Sequence, residues 1–343
     1  MKHISCELSK GLYNPKHEHS NCGVGVVVNL NGNPTHQLIE DGFHILENLD
    51  HRGARGAEEK TGDGAGMMLQ KPHDFFKAII PELGDYDSYG VGQVFFPRET
   101  KKQNALKEVM HEAARKEKFN IICWRKVPTD NTGLGKTALQ TEPVVFQFFV
   151  EPIKPVDPEE LDTKLYVLRR LMEKAVRQRA LWSGDLFYIC SLDRRKIVYK
   201  GLLTCAQLRS YYPELSNSMV KTSLIMVHSR FSTNTLGSWD LAHPYRVIVH
   251  NGEINTLQGN INWMKTREPH LASEKFGENI VKIKPITPDV EISDSAGFDH
   301  VLELLHEGGR DLPHALRMMV PEAWNKDPFM HPLRKSFYDI TQH

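Results

Sequence analysis

From Gly23 to Val28 the chain reads Gly-Val-Gly-Val-Val-Val, a β-branched run that suits an extended strand far better than a helix. Cys22 stands immediately before it. Shortly after it, the pair Asn31-Gly32 predicts a two-residue hairpin turn. A cysteine at the mouth of such a strand, followed by a glycine rather than a bulky residue, leaves its sulfur and backbone open to a ligand. Taken alone, the motif does not separate a reactive thiol from the inert cysteines common in protein cores.

Composition restricts the function classes. At 343 residues, 40% apolar and 25% charged, the chain has the make-up of a globular protein with a sizeable core. Lys plus Arg and Asp plus Glu number 43 each, so no net field draws it to nucleic acid or an anionic membrane. No apolar run approaches the roughly 20 residues that a membrane helix needs. Five cysteines (Cys6, Cys22, Cys123, Cys190, Cys205) are widely spread without a C-x-x-C pair. That argues against a disulfide framework and against a zinc or iron–sulfur site, and fits a reducing, cytoplasmic setting. Residues 1–21 carry Lys2, Glu7, Lys10, Lys16, His17, Glu18 and His19 with no continuous apolar segment, unlike a secretory signal. They read either as a solvated terminus or as a propeptide whose removal exposes Cys22.

In chain order, apolar spacing predicts a helix over 36–49, a strand at 67–69 and a short helix over 74–80. Strands follow at 91–96, 120–125 and 144–150, with a helix over 101–117 between the first two. The longest helix, over 159–181, has a stripe of Leu161, Leu165, Leu168, Leu171, Met172 and Val176 that belongs to the core. Strands are predicted at 187–192, 197–199, 222–228 and 246–249, and a helix over 301–305. With no repeat or linker, the pattern is one mixed α/β domain. Gly133-Leu134-Gly135-Lys136-Thr137 lacks the spacing of a phosphate-binding loop, since Asp130 stands where the first glycine is required.

Between the first helix and the first long strand lie His51-Arg52-Gly53-Ala54 and Thr61-Gly62-Asp63-Gly64-Ala65-Gly66, a glycine-rich loop suited to close backbone approach. Two later segments are also rich in site-type residues: His228-Ser229-Arg230-Phe231-Ser232-Thr233-Asn234-Thr235 and His250-Asn251-Gly252-Glu253-Ile254-Asn255-Thr256. A third, Ser293-Asp294-Ser295, opens a helix, where Ser293 or Asp294 also fits a simple cap. An arginine, an Asn-Gly pair and an aspartate can together bind a zwitterionic amino acid. The guanidinium takes the carboxylate, the aspartate the ammonium, and the amide with a backbone N–H holds an oxyanion.

These segments, together with Cys22-Gly23-Val24-Gly25 and in this order, resemble the N-terminal glutamine amidotransferase domain of the glutamate synthase large subunit over nearly the whole chain from Cys22. The resemblance implies an α+β fold, a four-layer αββα sandwich of the N-terminal-nucleophile hydrolase type. In it, residues 1–21 are a propeptide and 22–343 the amidotransferase domain. It implies Cys22 as nucleophile with its freed α-amine as base, and Asn251 with the Gly252 N–H as oxyanion hole. Arg230 would hold the glutamine α-carboxylate and Asp294 its α-ammonium, while Thr233 and the loop bearing Arg52, Gly62 and Asp63 would close the pocket. His228 and His250 are then expected to be structural, because the amine already supplies the base.

L-Glutamine is the implied substrate, hydrolysed to glutamate and ammonia through a γ-glutamyl thioester. The released ammonia would serve glutamate formation from 2-oxoglutarate in the whole enzyme. No cofactor is expected in this chain. FMN, an iron–sulfur cluster and the contact with an electron-donating partner are assigned to the remainder of such an enzyme, since the family's amidotransferase domain continues beyond the region matching His343. An amidotransferase with another acceptor is disfavoured by the leader and by the 51–66 loop. An unprocessed, inactive fragment is the other alternative.

Overall fold

The computed structural model describes residues 23–56, 58–179, 186–231, 237–287 and 292–341. Its centre is two four-stranded antiparallel sheets. The first has the order β1 (Val24–Val28), β8 (Leu224–Ser229), β2 (Ala65–Gln70), β7 (Lys196–Gly201). The second has the order β4 (Phe119–Lys126), β5 (Val144–Pro152), β3 (Gly90–Phe96), β6 (Tyr188–Asp193). Each matches an expected strand to within a few residues.

Side-chain alternation divides the strand residues between two cores. Val91 and Phe95 of β3 and Val145 and Phe149 of β5 join Met67, Leu69, Ile197 and Tyr199 of the first sheet in one core. That core also takes Ile39, Phe43 and Leu46 of α1 (Gln37–Asn48). The alternate residues, Val94 and Phe96 of β3 and Phe148 and Val150 of β5, pack on the other side. There they meet Leu106, Val109 and Met110 of α3 (Thr100–Lys116) and Leu161, Leu165, Leu168 and Met172 of α5 (Pro158–Gln178). The expected stripe on α5 is therefore largely core, and its Leu171 packs against a further cluster under the later helices.

Three expectations differ from the structure. Asn31-Gly32 does form a turn, with the Gly32 N–H donating to the Asn29 carbonyl at 2.9 Å, but it does not join a hairpin. The partner of β1 is β8, nearly two hundred residues on, with Val24 opposite His228 and Val28 opposite Leu224. After the turn the chain enters α1, whose apolar face needs the sheet for cover. No strand forms at 246–249. The Val247 and Ile248 N–H groups donate instead to the buried Asp299 carboxylate, at 2.9 and 3.3 Å, so a side chain takes the place of a ladder partner. The helix expected over 301–305 begins earlier, as α9 (Asp294–Glu307), because the Ser293 hydroxyl caps it by accepting from the Ala296 N–H at 3.1 Å. The chain beyond residue 256 also holds helices that the apolar pattern did not predict, among them α7 (Leu257–Arg267), α10 (Leu312–Met319) and α11 (Pro332–Thr341).

Buried charge fastens α9 to the sheets. Arg169 on α5 donates to Glu173 at 2.8 Å and to Glu303 of α9, and Arg246 donates to Glu173 at 3.1 Å and to the Ile189 carbonyl at 2.8 Å. Arg246 also lies 3.5 Å from the Asp299 carboxylate. No helix among the described residues is long and apolar enough to cross a membrane.

Candidate active site

The first strand pair positions the residue that follows Cys22. The Ser229 N–H donates to the Gly23 carbonyl at 2.8 Å, extending the β1–β8 ladder by one step. Gly23 is fixed by its surroundings: a Cβ there would lie 2.4 Å from the Ser229 carbonyl oxygen and 2.5 Å from the Asn251 amide. Only glycine lets the two backbones and that amide meet. Cys22 itself lies outside the described residues, as does Thr233.

Asn251 reaches Gly23 from a loop that the Asp299 carboxylate holds in place at Val247 and Ile248. With its oxygen accepting from the Gly23 N–H at 2.8 Å, its nitrogen donates to His228 Nε2 and, at 3.3 Å, to the His250 carbonyl. The reverse orientation sets Nδ2 against the Gly23 N–H, donor against donor, which selects the first.

Arg230 follows β8 directly. Its N–H donates to the Gly64 carbonyl at 2.8 Å, its carbonyl accepts from the Ala54 N–H at 3.1 Å, and its guanidinium donates to the Asp63 carbonyl at 3.3 Å. The glycine-rich loop thus wraps the arginine and is itself held by backbone bonds. Asp294, in the first turn of α9, accepts from the Ile254 N–H at 2.8 Å and from the Ser295 N–H at 2.7 Å. The Tyr245 and Ser293 hydroxyls, 3.0 Å apart, tie the 240s loop to the start of α9.

Arg230, Asn251, Gly252 and Asp294 line one open cavity of about 1020 Å³, with Asp240, Tyr245 and Phe231 on its walls. That volume accommodates a small polar molecule with room to spare. The cavity thus brings together an arginine, an Asn-Gly pair and an aspartate from separate parts of the chain. Asp63 lies against the site through its carbonyl on Arg230. Arg52 and Gly62 are not on the cavity wall. Gly62 packs on the backbone of Leu203, where a Cβ would come within 2.4 Å of the carbonyl oxygen, so its place in the loop is a packing requirement.

Three histidines, His228, His243 and His250, also line the cavity. His228 stacks on His243, with ring centroids 4.5 Å apart, and His243 meets His250 edge-on at 5.4 Å. Burial depresses the pKa of each, that of His228 to about 4. All three are therefore neutral near pH 7 and have little basicity to offer a thiol. His228 and His250 are packed as expected, but the contact of His228 with Asn251 has no counterpart in any sequence pattern. The two residues are 23 positions apart on different elements.

The family model for class-II glutamine amidotransferases matches residues 22–343. Glutamate synthase [NADH] of Saccharomyces cerevisiae is 43% identical over 96% of the chain, and the glutamate synthase [NADPH] large chain of Bacillus subtilis 38% over 96%. The chloroplastic ferredoxin-dependent glutamate synthase 2 of Arabidopsis thaliana is 38% identical over 94%. The chain spans only 16%, 22% and 20% of these three relatives, respectively.

Proposed function

Since the chain belongs to the class-II glutamine amidotransferases, we propose that it is the glutamine-hydrolysing part of a glutamate synthase. The observation that carries this reading is the convergence of Arg230, Asn251, Gly252 and Asp294 on one cavity beside the backbone that follows Cys22. In this reading the fold is a sandwich of the N-terminal-nucleophile hydrolase type, and residues 1–21 are a propeptide.

The chemistry requires that cleavage. As an internal residue Cys22 has an amide nitrogen, which is no base. As a terminus its α-amine titrates near about 7.7–8.0, so an appreciable fraction accepts the thiol proton at neutral pH. Arg230 takes the α-carboxylate of glutamine and Asp294 its α-ammonium, which sets the side-chain amide at the sulfur. The thiolate adds to the amide carbon, and the oxyanion is held by the Gly252 N–H and the Asn251 amide. The amine returns its proton to the leaving nitrogen, and ammonia departs from a γ-glutamyl thioester. Water then attacks the thioester, gives its proton to the amine, and releases glutamate and the thiol. Thr233 and the loop carrying Arg52, Gly62 and Asp63 would form the rim.

Relatives named for NADH, NADPH and ferredoxin match this chain at similar identity, so the choice of electron donor belongs to other parts of such enzymes. The reading places FMN, the iron–sulfur cluster and the contact with that donor there as well. The test combines intact mass with a glutaminase assay. Loss of residues 1–21, with glutamine-dependent ammonia release that Cys22→Ala abolishes, is the expected result. A processed, folded protein that leaves glutamine untouched would refute it.

A further inference from the structure

His228 occupies the penultimate position of β8, opposite Val24, and is 1% exposed. Its Nε2 faces two groups at once, the Asn251 amide and, at 3.1 Å, the His250 carbonyl. Its Nδ1 is buried with no hydrogen-bond partner among the described residues. A neutral imidazole carries one proton, and which nitrogen carries it decides what Nε2 can bind.

With the proton on Nδ1, Nε2 accepts from Asn251 Nδ2, and the amide oxygen turns to the Gly23 N–H at 2.8 Å. Both amide protons are then engaged, on His228 and on the His250 carbonyl. No amide N–H is then left for an oxyanion. With the proton on Nε2, the ring donates to the Asn251 oxygen and to the His250 carbonyl together, and Nδ2 takes the other place, beside Gly23. We infer that His228 is a positioning residue that sets, through its tautomer, whether the Asn251 amide presents its oxygen or its N–H beside Gly23.

The ring carries one proton in either arrangement and stays neutral. The first arrangement satisfies the Gly23 N–H and the His250 carbonyl but buries an unpaired Nδ1–H. The second keeps a donor on the His250 carbonyl, sets Nδ2 toward the Gly23 N–H and leaves Nδ1 a bare acceptor, so the first is the resting arrangement. A substrate oxyanion gives Nδ2 an acceptor only in the second arrangement, so glutamine binding shifts the population toward it. The groups facing the ring favour a neutral switch over a charged one. His243 stacks on it, and burial first, then the positive charge of Arg230, oppose its protonation.

The inference rests on Asn251 being the oxyanion donor, and the experiment separates the two ideas. In His228→Phe, which keeps the stack on His243 and removes both nitrogens, kcat for glutamine hydrolysis should fall about 10²–10³-fold, as when an oxyanion donor is lost. KM should stay within about threefold, because Arg230 and Asp294 are untouched. Circular dichroism checks the fold. A folded variant with kcat within about threefold of wild type overturns the inference. Nitrogen-15 spectra of the wild-type imidazole serve if the variant does not fold. Nε2 should be bare in the free protein and protonated once a glutamate γ-aldehyde has added to Cys22. The same tautomer in both states, or a protonated Nε2 in the free protein, also overturns it. A processed wild type that does not hydrolyse glutamine sinks the functional reading instead, and the free-protein spectrum then judges the His228–Asn251 arrangement by itself.

Discussion

Acidification should destabilise this protein, and His228 should account for about one proton of the effect. The ring is 1% exposed, and burial holds its pKa at about 4 against an ordinary 6.5. Between those values the folded chain keeps His228 neutral while the unfolded chain protonates it. Because the unfolded state binds the extra proton, stability rises with pH across the window and is lost as pH falls from about 6.5 to about 4. At about 1.4 kcal/mol per pH unit the whole window is worth about 3 kcal/mol, of which about 2 kcal/mol is gone by about pH 5. His243 and His250, also pushed down by burial, act in the same direction. Urea denaturation from about pH 7 to about pH 4.5 reads the slope of stability against pH, and His228→Phe should flatten it by about one proton. The comparison is of slopes, so a change in the absolute stability of the variant does not matter. Equal slopes for the two proteins would refute the argument that burial keeps this imidazole neutral.

Other outcomes follow from the same geometry. Asn251→Ala should lower kcat about 10²–10³-fold with the fold intact, checked by ammonia release beside a circular dichroism spectrum. Arg230→Lys keeps the charge but loses the fork that matches a carboxylate, so KM for glutamine should rise more than kcat falls, as steady-state kinetics will tell. Arg246→Met leaves the Asp299 and Glu173 carboxylates buried with fewer cations and should cost about 3–5 kcal/mol by chemical denaturation. Gly62→Ala forces a methyl against the Leu203 carbonyl and should cost about 1–3 kcal/mol, read from the urea midpoint.

The strands were legible because each carries its own record. A β-branched or aromatic run such as Val144–Val150 has few other conformations open to it, whatever it packs against. The site was legible to the extent that its chemistry is local, as in Arg230 at the end of a strand and Asn251-Gly252 in a loop. What stayed hidden depends on pairs far apart in the chain. Nothing in Val24–Val28 announces that its partner is Leu224–Ser229 rather than the segment just past the turn. Likewise 246–249 has the residues of a strand, and only Asp299, some fifty positions on, decides otherwise by taking its N–H groups. The company of glycines around Gly62 likewise says nothing of the Leu203 backbone on which it packs, a contact far off in the chain.

The bond from the Ser229 N–H to the Gly23 carbonyl has a bearing on maturation. If a cut is made ahead of residue 22, the fresh end is one peptide unit from a ladder already zipped to an interior strand. Trimming then alters the electrical character of that end while the bond at residue 23 keeps its mooring.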